Sequence, residues 1–241
     1  MPPSKPSGRR LPPAERRAAI AESARAIALS EGLSAITLRS VAAQAGMSPA
    51  LVAHYISSME ELVVQTFIDI VHDQLAEFQE WVASGPAILR LSRFLQSLFN
   101  GEHEASATIW AESWSMGLRS ELFAREVRKE NDRWLSYLES MISAAQEEGV
   151  VSVRNVTVAA MQVLSIFDGT NVHTLVGWRA DPERLLLVEQ AVEAILGMEP
   201  GAFARVRASD GGTPAAPRPG ISSRSEGPSD PAENESRLRR S

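Results

Sequence analysis

Apolar residues recur at spacings of three and four through most of the first two hundred positions, which is the periodicity of helices that bury one face. Residues 13–31 carry the first such stripe, and Gly32 follows it where a C-terminal cap is expected. We therefore predict a helix over residues 13–31. Its apolar stripe consists of Ile20, Ala24, Ile27 and Ala28.

Residues 37–56 contain the signals of two short helices that cross at a tight turn. The first helix begins after Thr37, its predicted N-cap. Gly46 gives the backbone freedom for a sharp turn, and Ser48 and Pro49 suit the cap and first position of a second helix. The stretch predicts a helix-turn-helix, in which the second helix can enter the major groove of DNA. The apolar residues expected to face each other are Val41, Ala42, Ala45, Val52 and Ile56.

A longer amphipathic segment begins at Ser58, which is followed three residues later by Glu61 in the pattern of a capping box. The helix that it opens is predicted to reach about Val82, before a Gly-Pro pair. Helical periodicity continues beyond this point, whereas the run VVSV at 150–153 lacks a partner strand and is expected to be a loop. Further helices are predicted at about 87–100, 104–117, 120–148, 156–177 and 182–197.

Composition divides the chain into four parts. Residues 1–12 are rich in Pro, Ser and Arg and read as a flexible basic arm, either attracted to phosphate or simply disordered. Residues 13–57 are predicted to form a three-helix domain that contains the helix-turn-helix, and residues 58–200 a helical bundle. Residues 201–241 are rich in Gly, Pro, Ser and charge and are expected to be a disordered tail. The predicted fold class is all-α.

The net charge of −6 is unevenly distributed over the 241 residues. Residues 1–57 carry +4, residues 58–200 carry −12, and residues 201–241 carry +2. A basic end on an acidic body is typical of a regulator that binds nucleic acid at one end. No apolar run approaches the roughly 18 to 20 residues of a membrane helix, and the N-terminus lacks the apolar core of a signal peptide. We therefore expect a cytoplasmic protein without a membrane partner.

The sequence contains no recognisable enzyme motif. There is no P-loop and no dinucleotide-binding glycine pattern, and the lack of cysteine excludes thiol catalysis. The histidines stand at no metal-ligand spacing and beside no nucleophile motif. We therefore predict no catalytic residues, no metal site and no cofactor. The four histidines are His54, His72, His103 and His173.

The turn and second helix of the predicted helix-turn-helix, MSPALVAHYI, resemble the DNA-binding domain of the TetR family of bacterial regulators. They are most similar to the betaine-repressor (BetI) subgroup, in which a His-Tyr pair stands where His54 and Tyr55 stand here. The segments IWAESWSMGLRSELFAREVRKENDRWL and FDGTNVHTLVG extend the resemblance to about residues 13–197. Two residues depart from the pattern: Ile56 replaces a Phe, and Met59 replaces a Lys that commonly contacts the DNA backbone.

The resemblance implies a ligand-responsive transcriptional regulator of the repressor kind. Such a protein binds a palindromic double-stranded DNA operator as a homodimer and is released by a small-molecule effector, which the helical bundle after Ser58 senses. The alternative is an all-α interaction or adaptor protein without specific DNA binding, which Met59 and the acidic total would favour. Salt-sensitive binding to the chain's own upstream DNA would separate the two.

Candidate DNA contacts fall into those that position the protein and those that read bases. The candidates for phosphate contacts are Thr37, Arg39, Ser48 and Tyr55. The candidates for base contacts are Pro49, Ala50, Ala53 and His54. Ala and Pro can only pack against groove atoms such as a thymine methyl, whereas His54 can donate to a purine or touch only the backbone. With so few long polar side chains, we expect DNA shape to carry much of the specificity.

Aromatic and methionine side chains are concentrated in the predicted bundle, where most form an ordinary core and some could line a ligand pocket. Trp110 and Trp114 lie one helical turn apart with Glu112 between them, a combination that suits an organic cation through cation–π attraction. We therefore expect a small hydrophobic or cationic effector, and the resemblance makes choline one candidate. The predicted pocket residues are Phe94, Trp110, Trp114, Trp134, Met161, Phe167 and His173.

The last two predicted helices carry small residues and an apolar stripe that suit a four-helix bundle between two protomers. A dimer matters because two recognition helices related by a two-fold axis read a palindrome, whereas one short helix reads few bases. The predicted interface residues are Ala160, Gly169, Leu185, Val188, Val192 and Ile195.

Overall fold

The computed structural model describes residues 12–97, 104–178 and 184–209, and the regular structure of these ranges is entirely helical. The all-α prediction is confirmed, and residues 150–153 form a loop. A short 3-10 turn, Leu33–Ala35, follows the first helix. The α-helices of the described residues are α1 (Pro13–Glu31), α2 (Leu38–Gln44), α3 (Pro49–Tyr55), α4 (Met59–Trp81), α5 (Ala87–Ser97), α6 (Glu104–Gly117), α7 (Glu121–Glu147), α8 (Val156–Leu175), α9 (Arg184–Leu196) and α10 (Ala202–Ser209).

The first three helices share one apolar core. Thr37 caps α2, since its hydroxyl oxygen accepts a hydrogen bond from the Ser40 N–H at 3.1 Å while the Ser40 hydroxyl accepts from the Thr37 N–H at 2.9 Å. Gly46 makes the turn at φ +62°, and Ser48 caps α3 by accepting from the Leu51 N–H. The predicted helix-turn-helix is therefore confirmed. Its buried apolar residues include Ile20, Ala24, Ile27, Ala28, Val41, Ala42 and Val52.

Helix α4 belongs to two apolar cores. Ser58 caps its first turn by accepting a hydrogen bond from the Glu61 N–H at 3.0 Å. Phe67 in its first half is buried in the core of α1–α3, whereas Phe78 near its end is buried in the core of the later helices. This helix therefore joins the N-terminal three-helix unit to the rest of the molecule.

Helices α5, α7, α8 and α9 contribute most of the second core, and α7 packs against α4, α5, α6 and α8. The observed bounds follow the predicted helices closely where both can be compared. Several predictions fall outside the described residues: most of the basic arm (residues 1–11), the ends of two predicted helices (98–100 and 182–183) and most of the predicted tail (210–241).

The predicted start of the disordered tail at residue 201 is wrong, because Ala202–Ser209 form helix α10. Phe203 is completely buried against the second core. The Glu193 carboxylate accepts hydrogen bonds from the Gly201 N–H at 2.7 Å and from the Phe203 N–H at 3.0 Å, so it caps this short helix from α9. One buried aromatic ring and a cap supplied by another helix leave no periodic signal in an eight-residue segment.

Replacing Phe203 by Ala should lower the free energy of unfolding by about 3–5 kcal/mol, because it leaves a cavity in the second core. Urea denaturation followed by circular dichroism measures the change. Val206→Ala on the same helix removes a half-buried side chain and is the matched control, with an expected loss of about 1 kcal/mol or less. Equal effects of the two variants would contradict the anchoring role of Phe203.

Candidate nucleic-acid interface and ligand cavity

Helix α3 turns one face to the core and the other to solvent. Its Val52 is completely buried. Thr37, Arg39 and Ser48, the predicted phosphate contacts that precede α3, are exposed. The Ser48 hydroxyl accepts the cap hydrogen bond and keeps its own proton to donate, so its role as a cap does not exclude a phosphate contact. The exposed residues of α3 are the predicted base contacts Pro49, Ala50, Ala53 and His54.

Tyr55, at the end of α3, is held by arginines of α1 that the sequence analysis did not single out. Arg16 Nη1 donates a hydrogen bond of 2.8 Å to the Tyr55 hydroxyl. The guanidinium carbons of Arg16 and Arg17 lie 5.6 and 5.7 Å from the centroid of the Tyr55 ring. The sequence carries little signal for this cluster, because 39 residues separate Arg16 from Tyr55. Met59 is half-buried and packs against the core of α1–α3.

A cavity lies within the second half of the molecule, with walls contributed by α4 to α8. Aromatic rings form much of its surface, and amide and carboxylate groups interrupt them. Cavities with mainly apolar walls and a few polar groups are typical binding sites for small molecules. Its lining residues are Gln74, Glu77, Phe78, Ser97, Ser106, Ala107, Trp110, Asn131, Trp134, Leu164, Phe167, Asp168 and Asn171.

Three of the predicted pocket residues, Trp110, Trp134 and Phe167, line this cavity. Phe94 lies behind its wall, completely buried and stacked on Phe167 with ring centroids 4.6 Å apart. The three other predicted pocket residues do not line this cavity. Helix geometry explains this result. Only one side of α8 faces the bundle, and some aromatic residues of α6 belong to the core of α1–α3. The three residues are Trp114, which packs against that N-terminal core, and Met161 and His173, which are exposed.

Glu112 lies away from the cavity, contrary to the expectation that it would face a cation beside the tryptophans. Its Oε1 accepts a hydrogen bond from the Ser34 hydroxyl at 2.7 Å, and its Oε2 accepts from the Ser34 N–H at 3.1 Å. Gly32 adopts φ +92°, and a Cβ there would lie 2.7 to 2.9 Å from the Glu112 carboxylate. Glu112 therefore links α6 to the turn between α1 and α2. Two residues correspond to about 200° around a helix, which turns Glu112 away from Trp110.

Asp168 is a cavity carboxylate that the sequence analysis missed. Burial raises its pKa from the ordinary value of 3.8 to about 6, because the charged form loses solvation. Within the described residues the Asp168 side chain has no hydrogen-bond or ion-pair partner. The only available signal is that Asp168 is the single acidic residue in the mainly apolar stretch 156–175. A strongly shifted carboxyl group in a cavity is a candidate for ligand binding.

Half of the predicted dimer residues lie inside a single protomer. Ala160, Val188 and Val192 are buried in the second core, so they cannot contact a partner and these three predictions are wrong. Gly169, Leu185 and Ile195 are half-buried and remain predictions. Helices α8 and α9 have a second apolar arc that faces solvent, and the sequence alone does not tell the core arc from the exposed one. The exposed apolar residues of this arc are Val158, Met161, Val172, Val176, Leu186 and Leu187.

No helix within the described ranges is long and apolar enough to span a membrane.

Residues 87–197 match the family model described as BetI-type transcriptional repressor, C-terminal. No curated protein matches the chain. Several solved structures have the same fold, and nearly the whole length of each aligns with this chain. A TetR transcription regulator from Haloarcula marismortui aligns with a TM-score of 0.63 at 18% identity, covering 77% of this chain and 98% of its own.

Two further structures illustrate the range of this fold. A putative transcriptional regulator from Pseudomonas aeruginosa PAO1 aligns with a TM-score of 0.63 at 22% identity, covering 82% of this chain and 97% of its own. A putative transcriptional regulator from Saccharomonospora viridis in complex with choline aligns with a TM-score of 0.64 at 18% identity, covering 76% of this chain and 96% of its own. Residues 87–197 therefore form a C-terminal domain of the BetI type, and together with the N-terminal helix-turn-helix the chain has the fold of the TetR transcription regulator from Haloarcula marismortui.

Proposed function

We propose that this protein is a dimeric TetR-family repressor that a small organic cation releases from its operator. Residues 13–57 form the DNA reader and residues 58–200 the sensor in this proposal, with α10 added to the sensor. The observation that carries it is the cavity, which is lined by aromatic rings and by the half-buried carboxylate of Asp168, a group without a partner within the described residues. A cytoplasmic location, where the operator is accessible, belongs to the same proposal.

The chemistry of the cavity favours a cation. Trp110, Trp134 and Phe167 line it, and the negative quadrupole of an aromatic ring attracts a quaternary or tertiary ammonium. Asp168 supplies a full negative charge that a cation compensates on binding. Buried Gln74 Nε2 has no hydrogen-bond partner within the described residues, so it can donate to a ligand oxygen. Choline, with one quaternary ammonium and one hydroxyl, is a suitable probe, and the choline complex of a protein with this fold supports the choice.

The exposed face of α3 favours DNA binding in which few hydrogen bonds to bases are made. Its exposed residues are small or apolar apart from His54, so few hydrogen bonds to base edges are available from the helix itself. We assign phosphate contacts to Thr37, Arg39, Ser48 and Tyr55, and groove contacts to Pro49, Ala50, Ala53 and His54. Specificity then depends largely on groove shape and on the spacing of the two half-sites.

Helix α6 provides a route from the cavity to the reader. Trp110 of α6 lines the cavity, and Glu112 of the same helix holds Ser34 in the turn before α2. A second contact connects the two parts, since the Ser120 hydroxyl at the start of α7 donates to Glu60 at the start of α4. A ligand that prefers one placement of α6 therefore changes the placement of the reader, to the extent of its differential affinity for the two states.

Choline should bind the wild-type protein about tenfold more weakly at pH 5 than at pH 7.5. Protonation below the Asp168 pKa of about 6 removes the charge that attracts the ammonium. Asp168→Asn should weaken binding at pH 7.5 by tenfold or more and abolish most of this pH dependence.

The same variant, Asp168→Asn, should raise the melting temperature of the free protein more at pH 8 than at pH 4. The raised folded-state pKa means that the wild type loses stability as the pH rises from about 4 to about 6.

Isothermal titration calorimetry with choline and tetramethylammonium, together with thermal melts, tests this pair of effects. Asp132→Asn on the exposed face of α7 is the control and should leave choline binding unchanged. Absence of binding by both amines, or binding by Asp168→Asn as tight as that of the wild type, would refute the cationic effector. Binding of neutral apolar molecules instead would favour a hydrophobic effector.

Glu112→Gln should separate ligand binding from its effect on DNA. The variant keeps the cavity, so choline affinity should change by less than about twofold, while the loss of DNA affinity caused by choline shrinks toward unity from a typical 5- to 150-fold. Fluorescence anisotropy on a duplex selected by the wild-type protein, with and without saturating choline, measures this ratio. Glu80→Gln, on the exposed side of α4, is the matched control. An unchanged ratio in Glu112→Gln would exclude this route.

The exposed apolar arc of α8 and α9 is the surface that we assign to the dimer. Val176 and Leu187 are 72% and 63% exposed, and a buried Asp at either position would have no partner. Val176→Asp and Leu187→Asp should therefore weaken dimerisation by about 100-fold or more, as measured by sedimentation equilibrium. Leu118→Asp alters a residue that is 88% exposed between α6 and α7 and should remain dimeric. Dimers of wild-type strength in both α8–α9 variants would place the interface elsewhere.

A further inference from the structure

Positive charge is scarce where the reader would meet DNA. Residues 37–61 contain a single basic side chain other than histidine, Arg39 near the start of α2. The first turn of α4 begins with Met59 and continues with two carboxylates. Affinity for double-stranded DNA depends on neutralising phosphates with Lys or Arg. The charge for the C-terminal end of α3 must therefore come from an element other than α3 or α4.

Arg16 and Arg17 of α1 stand at that end of α3. Arg16 is half-buried and donates to the Tyr55 hydroxyl, whereas Arg17 is exposed beside the same ring. Within the described residues neither guanidinium has a carboxylate partner. Arg25, further along α1, is by contrast paired with Asp73 of α4 at 2.9 Å. Both guanidinium groups thus lack a counter-charge within the described residues and are available to an external anion.

The hydrogen bond from Arg16 also prepares the Tyr55 hydroxyl. A phenol that accepts a hydrogen bond keeps its own proton to donate. A cationic donor polarises the O–H bond and strengthens that donation. Three groups with hydrogen-bond donors to spare are therefore clustered around the Tyr55 ring: the remaining N–H groups of Arg16, the guanidinium of Arg17 and the hydroxyl of Tyr55. Planar guanidinium groups are well matched to phosphate oxygens.

We propose that Arg16, Arg17 and Tyr55 form a phosphate clamp that fixes the C-terminal end of α3 on the DNA backbone. The clamp rests on the proposed DNA binding by α3 and adds to it two residues from α1. It supplies the cationic contact that α4 lacks at Met59. A purely structural role would require only the Arg16–Tyr55 hydrogen bond, so exposed Arg17 distinguishes the clamp from simple packing of α1 on α3.

The test uses the full chain and a duplex that the wild-type protein selects from a random pool. Fluorescence anisotropy at salt concentrations from 50 to 300 mM gives the affinity and its salt dependence for Arg16→Gln, Arg17→Gln and Tyr55→Phe. Each arginine variant removes about two phosphate contacts per dimer, so the slope of log K against log salt should become shallower by about 2. The affinity at 150 mM salt should fall by about 10- to 30-fold. Arg119→Gln, which removes an equal charge from an exposed sensor position, should change neither quantity.

A double-mutant cycle probes the link through Tyr55. Because Arg16 acts partly through the hydroxyl, Arg16→Gln should cost less in the Tyr55→Phe background than in the wild type. If Arg16→Gln does not fold, Arg17→Gln decides the question. Wild-type affinity and slope in Arg17→Gln, or a lower melting temperature without a change of slope in Arg16→Gln, would overturn the clamp alone. Failure of the wild-type protein to retain any duplex would overturn the proposed DNA binding together with it.

Discussion

The burial of one helix in two cores is the constraint on which the structure depends. Phe67 fixes α4 in the core of α1–α3, and Phe78 fixes it in the core around α7. Between Met59 and Trp81 the helix contains neither Pro nor Gly, so its 23 residues form one rod of about 35 Å. Because interiors are close-packed, such a rod cannot shift at the cavity without moving against the three-helix unit. The reader and sensor are mechanically joined for this reason.

Helix α8 adds a second connection, because its two sides have different partners. One arc contributes Leu164, Phe167 and Asp168 to the cavity, and the other exposes Met161 and Val172. The two sides are about one helix diameter apart, roughly 10 Å. A ligand that shifts α8 therefore acts on the cavity wall and on the surface that we assign to the partner protomer in the same movement.

Local chemistry explains which features the sequence predicts. The caps at Thr37, Ser48 and Ser58 and the turn at Gly46 depend on neighbouring residues, so they are visible in the sequence and the structure confirms them. Features that depend on residues distant in the chain are not visible in the sequence. Helix α10 needs a cap from another helix, the shifted pKa of Asp168 needs a surrounding cavity, and the two apolar arcs of α8 have similar composition. The fold class and the helix α3 were therefore predictable from the sequence, whereas the place of Asp168 in the cavity and the exposed apolar side of α8 were not.

In the proposed function, the Asp168 carboxylate also determines which molecules the cavity rejects. A neutral isostere of a quaternary amine covers the same aromatic rings but encloses the carboxylate without a counter-charge. It must bind to the protonated acid instead, at a cost of about 1.4 kcal/mol for each pH unit above the Asp168 pKa of about 6. Discrimination against uncharged look-alikes thus increases with pH. In the proposed function, selectivity therefore arises from a penalty on the wrong ligand as much as from attraction to the right one.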